Sequence, residues 1–238
     1  MTEESNLIDD AVDDLLPGGK FFTKYTPAVL ERGYRLFVGP SLFLYGHNRA
    51  GKTSLIKYLL TSTPIDPKGI TERTQTEITN RALGFKLHGR DDVSVHIKSM
   101  RDRPGQVDGS SHAIRFCQEL PHTALIMLDS KFPYEGKSVN SIEGYLRDFW
   151  DEVRLRKRVV PPKVKRVWII ANKADLLTEG KQASLLKKIE KDVAKHTKGL
   201  IHPARVKVRG CSLIAGERWN TMRDKMVRDI FSDIVFSR

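Results

Sequence analysis

Cysteine is nearly absent from this 238-residue chain. Cys117 and Cys211 are the only two, which excludes a disulfide framework and leaves two reduced packing residues in a reducing compartment as the expectation. Long apolar runs are absent too, with no stretch near the roughly 20 residues of a membrane-spanning helix. The opening MTEESNLIDD has neither the basic start nor the apolar centre of a signal peptide. Thr2 stands where myristoylation needs glycine, and the closing DIVFSR carries no prenylation box. The expectation is a cytoplasmic protein, with peripheral attachment to a membrane as the alternative. Acidic residues are in deficit: 29 Asp and Glu face 41 Lys and Arg, a net charge of +12. Such a balance favours anionic partners and is silent about the fold. The remaining composition, 39% apolar and 29% charged, is that of a globular chain long enough for one α/β domain with a real core.

What is present is organised around residues 41–54, SLFLYGHNRAGKTS. Ser41–Tyr45 is an apolar run of strand length. Gly46 to Thr53 then matches G-x-x-x-x-G-K-[ST], and Leu55, Ile56, Leu59 and Leu60 fall at helical spacing. The bare pattern arises by accident in roughly one chain in a hundred of this length. The flanking strand and helix set this copy apart from a chance glycine turn. Glycine at 46 and 51 permits backbone angles and a close approach that a Cβ would block. Successive N–H groups and the helix N-terminus then wrap a phosphate chain. The expected phosphate-binding set is Gly46, His47, Asn48, Arg49, Ala50, Gly51, Lys52, Thr53 and Ser54. Lys52 is expected to reach the β- and γ-phosphates and to serve catalysis, and the Thr53 hydroxyl to ligate Mg²⁺.

Along the chain, residues 1–25 read as an acidic extension, with six acids and no base in the first 16, followed by one domain over 26–238. A short helix is expected at 26–37, a strand at 41–45 and a helix at 52–62. A polar connection at 63–79 leads to a hairpin, 82–88 and 93–100, turning at 89–92. Further helices are expected at 111–120, 138–157, 181–198 and 219–236, and strands at 123–129, 164–171 and 206–209. In the helix 181–198, Leu185, Leu186, Ile189, Val193 and Ala194 are expected to face inward. Strands alternating with helices after one hairpin predict an α/β fold: a phosphate-loop, mostly parallel six-stranded sheet with helices on both faces. Ligands of such sheets bind at the carboxyl ends of the strands, where each polar motif of this chain falls.

Asp102 ends an expected strand and begins Asp-Arg-Pro-Gly-Gln. A carboxylate there can hold Mg²⁺ while the Gly105 N–H meets the γ-phosphate and the Gln106 amide orients the attacking water. Gln106 and Lys52 are the catalytic candidates. Asn172-Lys173-Ala174-Asp175 follows the apolar strand VWIIA. The Asp175 carboxylate can accept from both the ring N–H and the exocyclic amino group of guanine. Adenine offers neither in that arrangement and would leave a buried charge unpaired. Asn172 is expected to tie this loop to the phosphate loop, and the Lys173 stem to cover the base. Cys211, Ser212 and Leu213 are expected to present backbone N–H groups to the guanine oxygen, although an ordinary strand end reads almost as well. Thr71, Thr74 and Thr76 all qualify as the threonine that senses the γ-phosphate and completes the metal set. Thr76, nearest the strand, is preferred. Residues 154–166 (RLRKRVVPPKVKR) carry seven basic residues and no acid. A solvated helix end is the ordinary explanation. An acidic protein face or an anionic membrane surface is the alternative, and without interleaved aromatics nucleic acid is not favoured.

GHNRAGKT, DRPGQ, NKAD and CSL, in this order, resemble the G1, G3, G4 and G5 motifs of the Ras-like small GTPases over about residues 40–238. The stretch PAVLERGYRLFVGPSLFLYGHNRAGKTSLIKYLL looks like the entry into a Roc (Ras of complex proteins) domain, with an Arf-like or orphan small GTPase as the competing placement. The resemblance implies a switch between GTP and GDP that needs Mg²⁺ and hydrolyses slowly. It also implies a protein effector, an activating or exchange partner, and, among the alternatives, a homodimer. Asn48 and Arg49 stand where the family often has glycine, and Leu213 where it has a small residue. A side chain at 48 is expected to lean over the γ-phosphate.

Overall fold

Strand β1, Ser41–Gly46, lies in the middle of a six-stranded sheet and is apolar on both faces. The computed structural model describes residues 40–61, 77–85, 93–102, 108–137, 140–214 and 216–236. The expected extension over 1–25, the helix at 26–37, the turn at 89–92, and Thr71, Thr74, Thr76, Gly105 and Gln106 lie outside the described residues. After β1 come α1 (Lys52–Thr61), β2 (Glu77–Phe85), β3 (Val93–Asp102), α2 (Gly109–Glu119), β4 (Thr123–Asp129), α3 (Ile142–Arg156), β5 (Arg166–Asn172), α4 (Glu179–Thr197), β6 (Val206–Gly210) and α5 (Glu217–Phe236). The sheet order is β2-β3-β1-β4-β5-β6. β3 with β1, β1 with β4, β4 with β5 and β5 with β6 are parallel, and β2 with β3 is antiparallel.

The period-2 geometry of the central strands splits their side chains between two cores. Phe43, Tyr45, Ala124, Ile126, Leu128, Val167, Ile169 and Ala171 join the face of α2, α3 and α4. Leu42, Leu44, Leu125, Met127, Trp168 and Ile170 join the face of α1 and α5. All seven residues of β4 are buried. Each large side chain so buried is worth about 1.5–3 kcal/mol relative to exposure, which explains why these apolar runs form the centre of the sheet.

Several element boundaries differ from the sequence reading, each for a local reason. β2 begins at Glu77 because its antiparallel register with β3 runs on to the pair Glu77–Arg101, so Thr79 sits in the ladder opposite Ser99 rather than in the preceding connection. α3 begins at Ile142, not 138, because the Ser141 hydroxyl caps it, accepting from Gly144 N at 3.1 Å. α2 begins at Gly109, since Asp108 accepts from Ser111 N at 2.7 Å. Val164 precedes β5 rather than opening it; its N–H closes a turn on Pro161 O, and its side chain is buried there. In α4 the buried stripe is Gln182, Ile189, Val193 and Thr197, while Ala194, one helical step off it, is exposed.

This topology brings the carboxyl ends of β1, β4, β5 and β6 together at one end of the sheet: Gly46, Asp129, Asn172 and Gly210. Asp102 ends β3, with Leu44 of β1 as its register partner. Among the described residues, no helix is long and apolar enough to cross a membrane.

Candidate functional site

The turn after β1 is fixed first by what cannot be there. Gly46 has φ +129°, and a Cβ on it would stand 1.9 Å from the Met127 carbonyl oxygen. The next amide, His47 N, donates to that same carbonyl at 3.1 Å, so the loop leaves the sheet pressed against β4. Arg49 (φ 57°) and Gly51 (φ 91°) are both left-handed. Such turns aim consecutive backbone N–H groups into one concavity. Ala50 N closes the loop on His47 O at 3.3 Å, and Leu55 N starts the helical ladder on Gly51 O at 2.8 Å. Lys52 is buried, with its ammonium donating to Gly46 O (3.1 Å) and His47 O (2.8 Å). The loop thus carries its own cation at its rim, beside the positive end of α1. Thr53 is half-buried in the first turn of α1, Ser54 is buried, Asn48 is half-buried and Arg49 is exposed.

His47 departs from the expected phosphate set. Its N–H is spent on Met127, and its ring is 2% exposed, lying 4.8 Å from Phe132 and 4.7 Å from Tyr145 between ring centres. Its Nε2 donates to Ser141 O at 3.2 Å. The side chain therefore anchors the loop to the start of α3 and faces away from the concavity. Tyr145 in turn meets His112 of α2, 2.7 Å from its Nδ1. Burial pushes the Tyr145 phenol far above its ordinary range, so it stays neutral and bonded.

Opposite the loop stands the turn after β5. The Asn172 side-chain amide donates to Ala50 O at 2.9 Å, so the expected tie between the two loops is present. Gly51 makes room for it: a Cβ there would sit 2.4 Å from Asn172 Nδ2 and 3.4 Å from Leu213 Cδ1. Lys173 takes a left-handed backbone (φ 63°), and its ammonium pairs with the Asp129 carboxylate at the end of β4. Asp129 also accepts from Lys131 N at 3.0 Å. The sequence reading missed Asp129 as a site residue, because only the parallel pairing of Asp129 with Asn172 brings it there.

Two acceptors on this side are buried with no hydrogen-bond partner among the described residues: Asp175 Oδ1 and Asn172 Oδ1. Leaving such a group unmatched costs about 1–3 kcal/mol, more when it is charged. The cost is recovered when a ligand brings donors, and a purine edge with two adjacent N–H donors fits the carboxylate. The loop after β6 closes the same region. Cys211 N donates to Ala171 O (2.9 Å), and Cys211 O accepts from Ala174 N (3.0 Å), so the Cys211 amide is committed to the sheet rather than available to a base. Burial pushes the Cys211 thiol up to about 12, which makes it a packing residue. Ser212 and Leu213 are buried beside it. The described candidates from the three loops after β1, β5 and β6 therefore lie at one end of the sheet, apart from the His47 ring and the Cys211 amide, which turn elsewhere. As to metal, no group of three or more His, Cys, Asp or Glu among the described residues is arranged to hold an ion. Thr53 and Asp102 are hard oxygen donors of the kind Mg²⁺ takes alongside phosphate oxygens.

No protein-family model matches the chain, and no curated protein matches it. Many solved structures are similar to it, two of them as follows. One is the signal recognition particle receptor SRb-GTP/SRX complex from Chaetomium thermophilum, at 17% identity and TM-score 0.45, covering 78% of this chain and 97% of that one. The other is the translation elongation factor SelB from Methanococcus maripaludis in complex with the GTP analogue GppNHp. There the identity is 16% and the TM-score 0.45 over 82% of this chain, which spans only 33% of that protein.

Proposed function

We propose that this chain is a guanine-nucleotide switch of Ras-like fold that binds GTP, hydrolyses it slowly to GDP, and signals the difference to a protein partner. One observation carries the reading. Asn172 bridges to Ala50 in the phosphate loop while Asp175 Oδ1, three residues on, is buried without a partner among the described residues. A phosphate cradle and an unmatched carboxylate held in one rigid frame suit a purine nucleotide whose base donates two hydrogens, which is guanine and not adenine.

In this reading the amides of residues 48–53 receive the phosphates. Lys52 exchanges its carbonyl partners for phosphate oxygens, and Asp175 takes the base. Lys173, held by Asp129, covers the ring, and Ser212 and Leu213 offer amides to the guanine oxygen. Mg²⁺, when bound, neutralises phosphate charge, and Thr53, Asp102 and Thr76 are the residues that would hold it. Gln106 is assigned the water-positioning role and Gly105 the γ-phosphate contact. The G domain spans 26–238 and follows an acidic extension. Placement among Roc-like domains rests on the sequence entering the phosphate loop alone.

The test is single-turnover hydrolysis of bound GTP in the presence of Mg²⁺, wild type against Gln106→Leu. Slow turnover that falls further in the variant supports the switch. A second reading, a nucleotide-locked scaffold, is favoured by Asn48, a side chain in the loop where the family often has none. GTP that survives equally in both proteins selects it. No GTP binding at all overturns both.

A further inference from the structure

At the opposite end of the sheet from the proposed nucleotide loops, the last turn of α3 and the chain that leads on to β5 combine exposed aliphatic side chains with a dense run of cations. Leu155 is 81% exposed and Val159 60% exposed; the one other large hydrophobic exposed among the described residues is Leu176, at 49%. Both lie within the seven-base stretch 154–166. This is not a loosely held segment. Val153, Val160 and Val164 are buried on its inner side, and Val160 N donates to Leu200 O at 2.7 Å. The Arg205 guanidinium donates to the carbonyls of Val160 (3.3 Å), Pro161 (2.7 Å) and Val164. Arg154 donates to His196 O and Lys198 O at 2.7 and 3.2 Å, bringing the basic end of α4 alongside. The fold thus spends a buried frame on holding Leu155 and Val159 in water.

Some of the cations are paired with acids and some are not. Arg156 pairs with Glu152, and Arg166 with Asp233. Arg158 and Lys163 are exposed and have no acidic partner among the described residues. We propose that this surface docks on a membrane with anionic headgroups, Leu155 and Val159 entering the headgroup–acyl boundary while Arg158, Lys163 and their neighbours meet lipid phosphates and carboxylates. Aliphatic prongs ringed by cations are what an interfacial contact with such a bilayer rewards. A nucleic acid backbone gains nothing from a leucine, and the stretch offers no aromatic ring to a base. Because the nucleotide loops lie at the other end of the strands, docking leaves them open to a partner.

The experiment is co-sedimentation of the full chain with vesicles of phosphatidylcholine alone, or with about 30% phosphatidylserine, at about 0.15 M salt. Binding to the anionic vesicles only is expected. Because a net charge of +12 adsorbs to anionic surfaces by itself, the deciding variant keeps the charge. Leu155→Ser with Val159→Ser should lower partitioning about tenfold or more, with guanine-nucleotide affinity and thermal midpoint unchanged. Arg158→Glu with Lys163→Glu should abolish it. Two results overturn the proposal: no binding of wild type to anionic vesicles, which leaves an acidic protein as the partner, or equal binding of the serine variant, which reduces the effect to bulk charge.

Discussion

Gly51 shows how much of the site hangs on single atoms. Its φ of 91° and the 2.4 Å that would separate a Cβ from Asn172 Nδ2 leave no room for alanine. Gly51→Ala should push Asn172 off Ala50 and weaken guanine-nucleotide binding at least tenfold, read by titration of a fluorescent GDP analogue, while secondary structure persists. Asp175→Asn converts the unmatched acceptor to an amide that can donate. Preference should move from guanine towards xanthine nucleotides, measured by competition of XTP against GTP, and continued dominance of GTP would remove Asp175 from the base site. Both residues stood out in the sequence, because binding a phosphate chain and a guanine edge would call for those types at those places; the structure adds the Gly51 close approach and the unpartnered Asp175 oxygen. The turned-in ring of His47, the left-handed Arg49 and the Asp129–Lys173 pair were not. The first depends on Phe132 and Tyr145 arriving from elsewhere in the chain, and the last on the register of β4 against β5.

At the scale of elements, the caps decide where helices start. Ser141 both accepts from Gly144 N and donates to Lys137 O at 3.1 Å, tying the first turn of α3 to the segment before it. Ser141→Ala should cost about 1 kcal/mol, seen as a lower urea midpoint with an unchanged slope. Asp108→Ala at the start of α2 should cost a similar amount, about 1 kcal/mol. These caps explain why sequence periodicity placed the helices correctly and their first turns poorly. Amphipathic spacing marks the buried stripe of 142, 145, 146, 149, 150 and 153, all of which are buried. A polar residue just ahead of that stripe carries no mark of whether it caps or merely precedes. β2 shows the converse: its polar start looks like loop and becomes strand because β3 supplies the ladder.

For the whole molecule, the apolar runs of β1, β4 and β5 made the mostly parallel sheet legible, and the clustering of motifs at strand ends followed from it. The same dense packing sets the alkaline limit of stability. Burial raises the Cys211 thiol to about 12 and raises the Cys117 thiol and the Tyr58, Tyr134 and Tyr145 phenols as well. Each favours its protonated form in the folded state. The stability they contribute is therefore complete below the ordinary thiol pKa of about 8.5–9 and is lost as pH rises towards their folded values. Urea midpoints should hold level from neutral pH to about 8.5 and fall steadily above it, and Cys211→Ala should flatten part of that slope. Both thiols should also resist iodoacetamide until the protein unfolds.

The bond from Asn172 to Ala50 spans β4, joining turns that follow β1 and β5. A nucleotide bound as proposed would therefore rest its base and its phosphates on a single jaw rather than two, and the two ends should let go together. A regulator that seized the proposed phosphate turn would then also loosen the proposed base turn, and would need to touch only one of them to empty both. Spontaneous escape of a labelled GDP should then follow one exponential, and an exchange partner should accelerate that one rate.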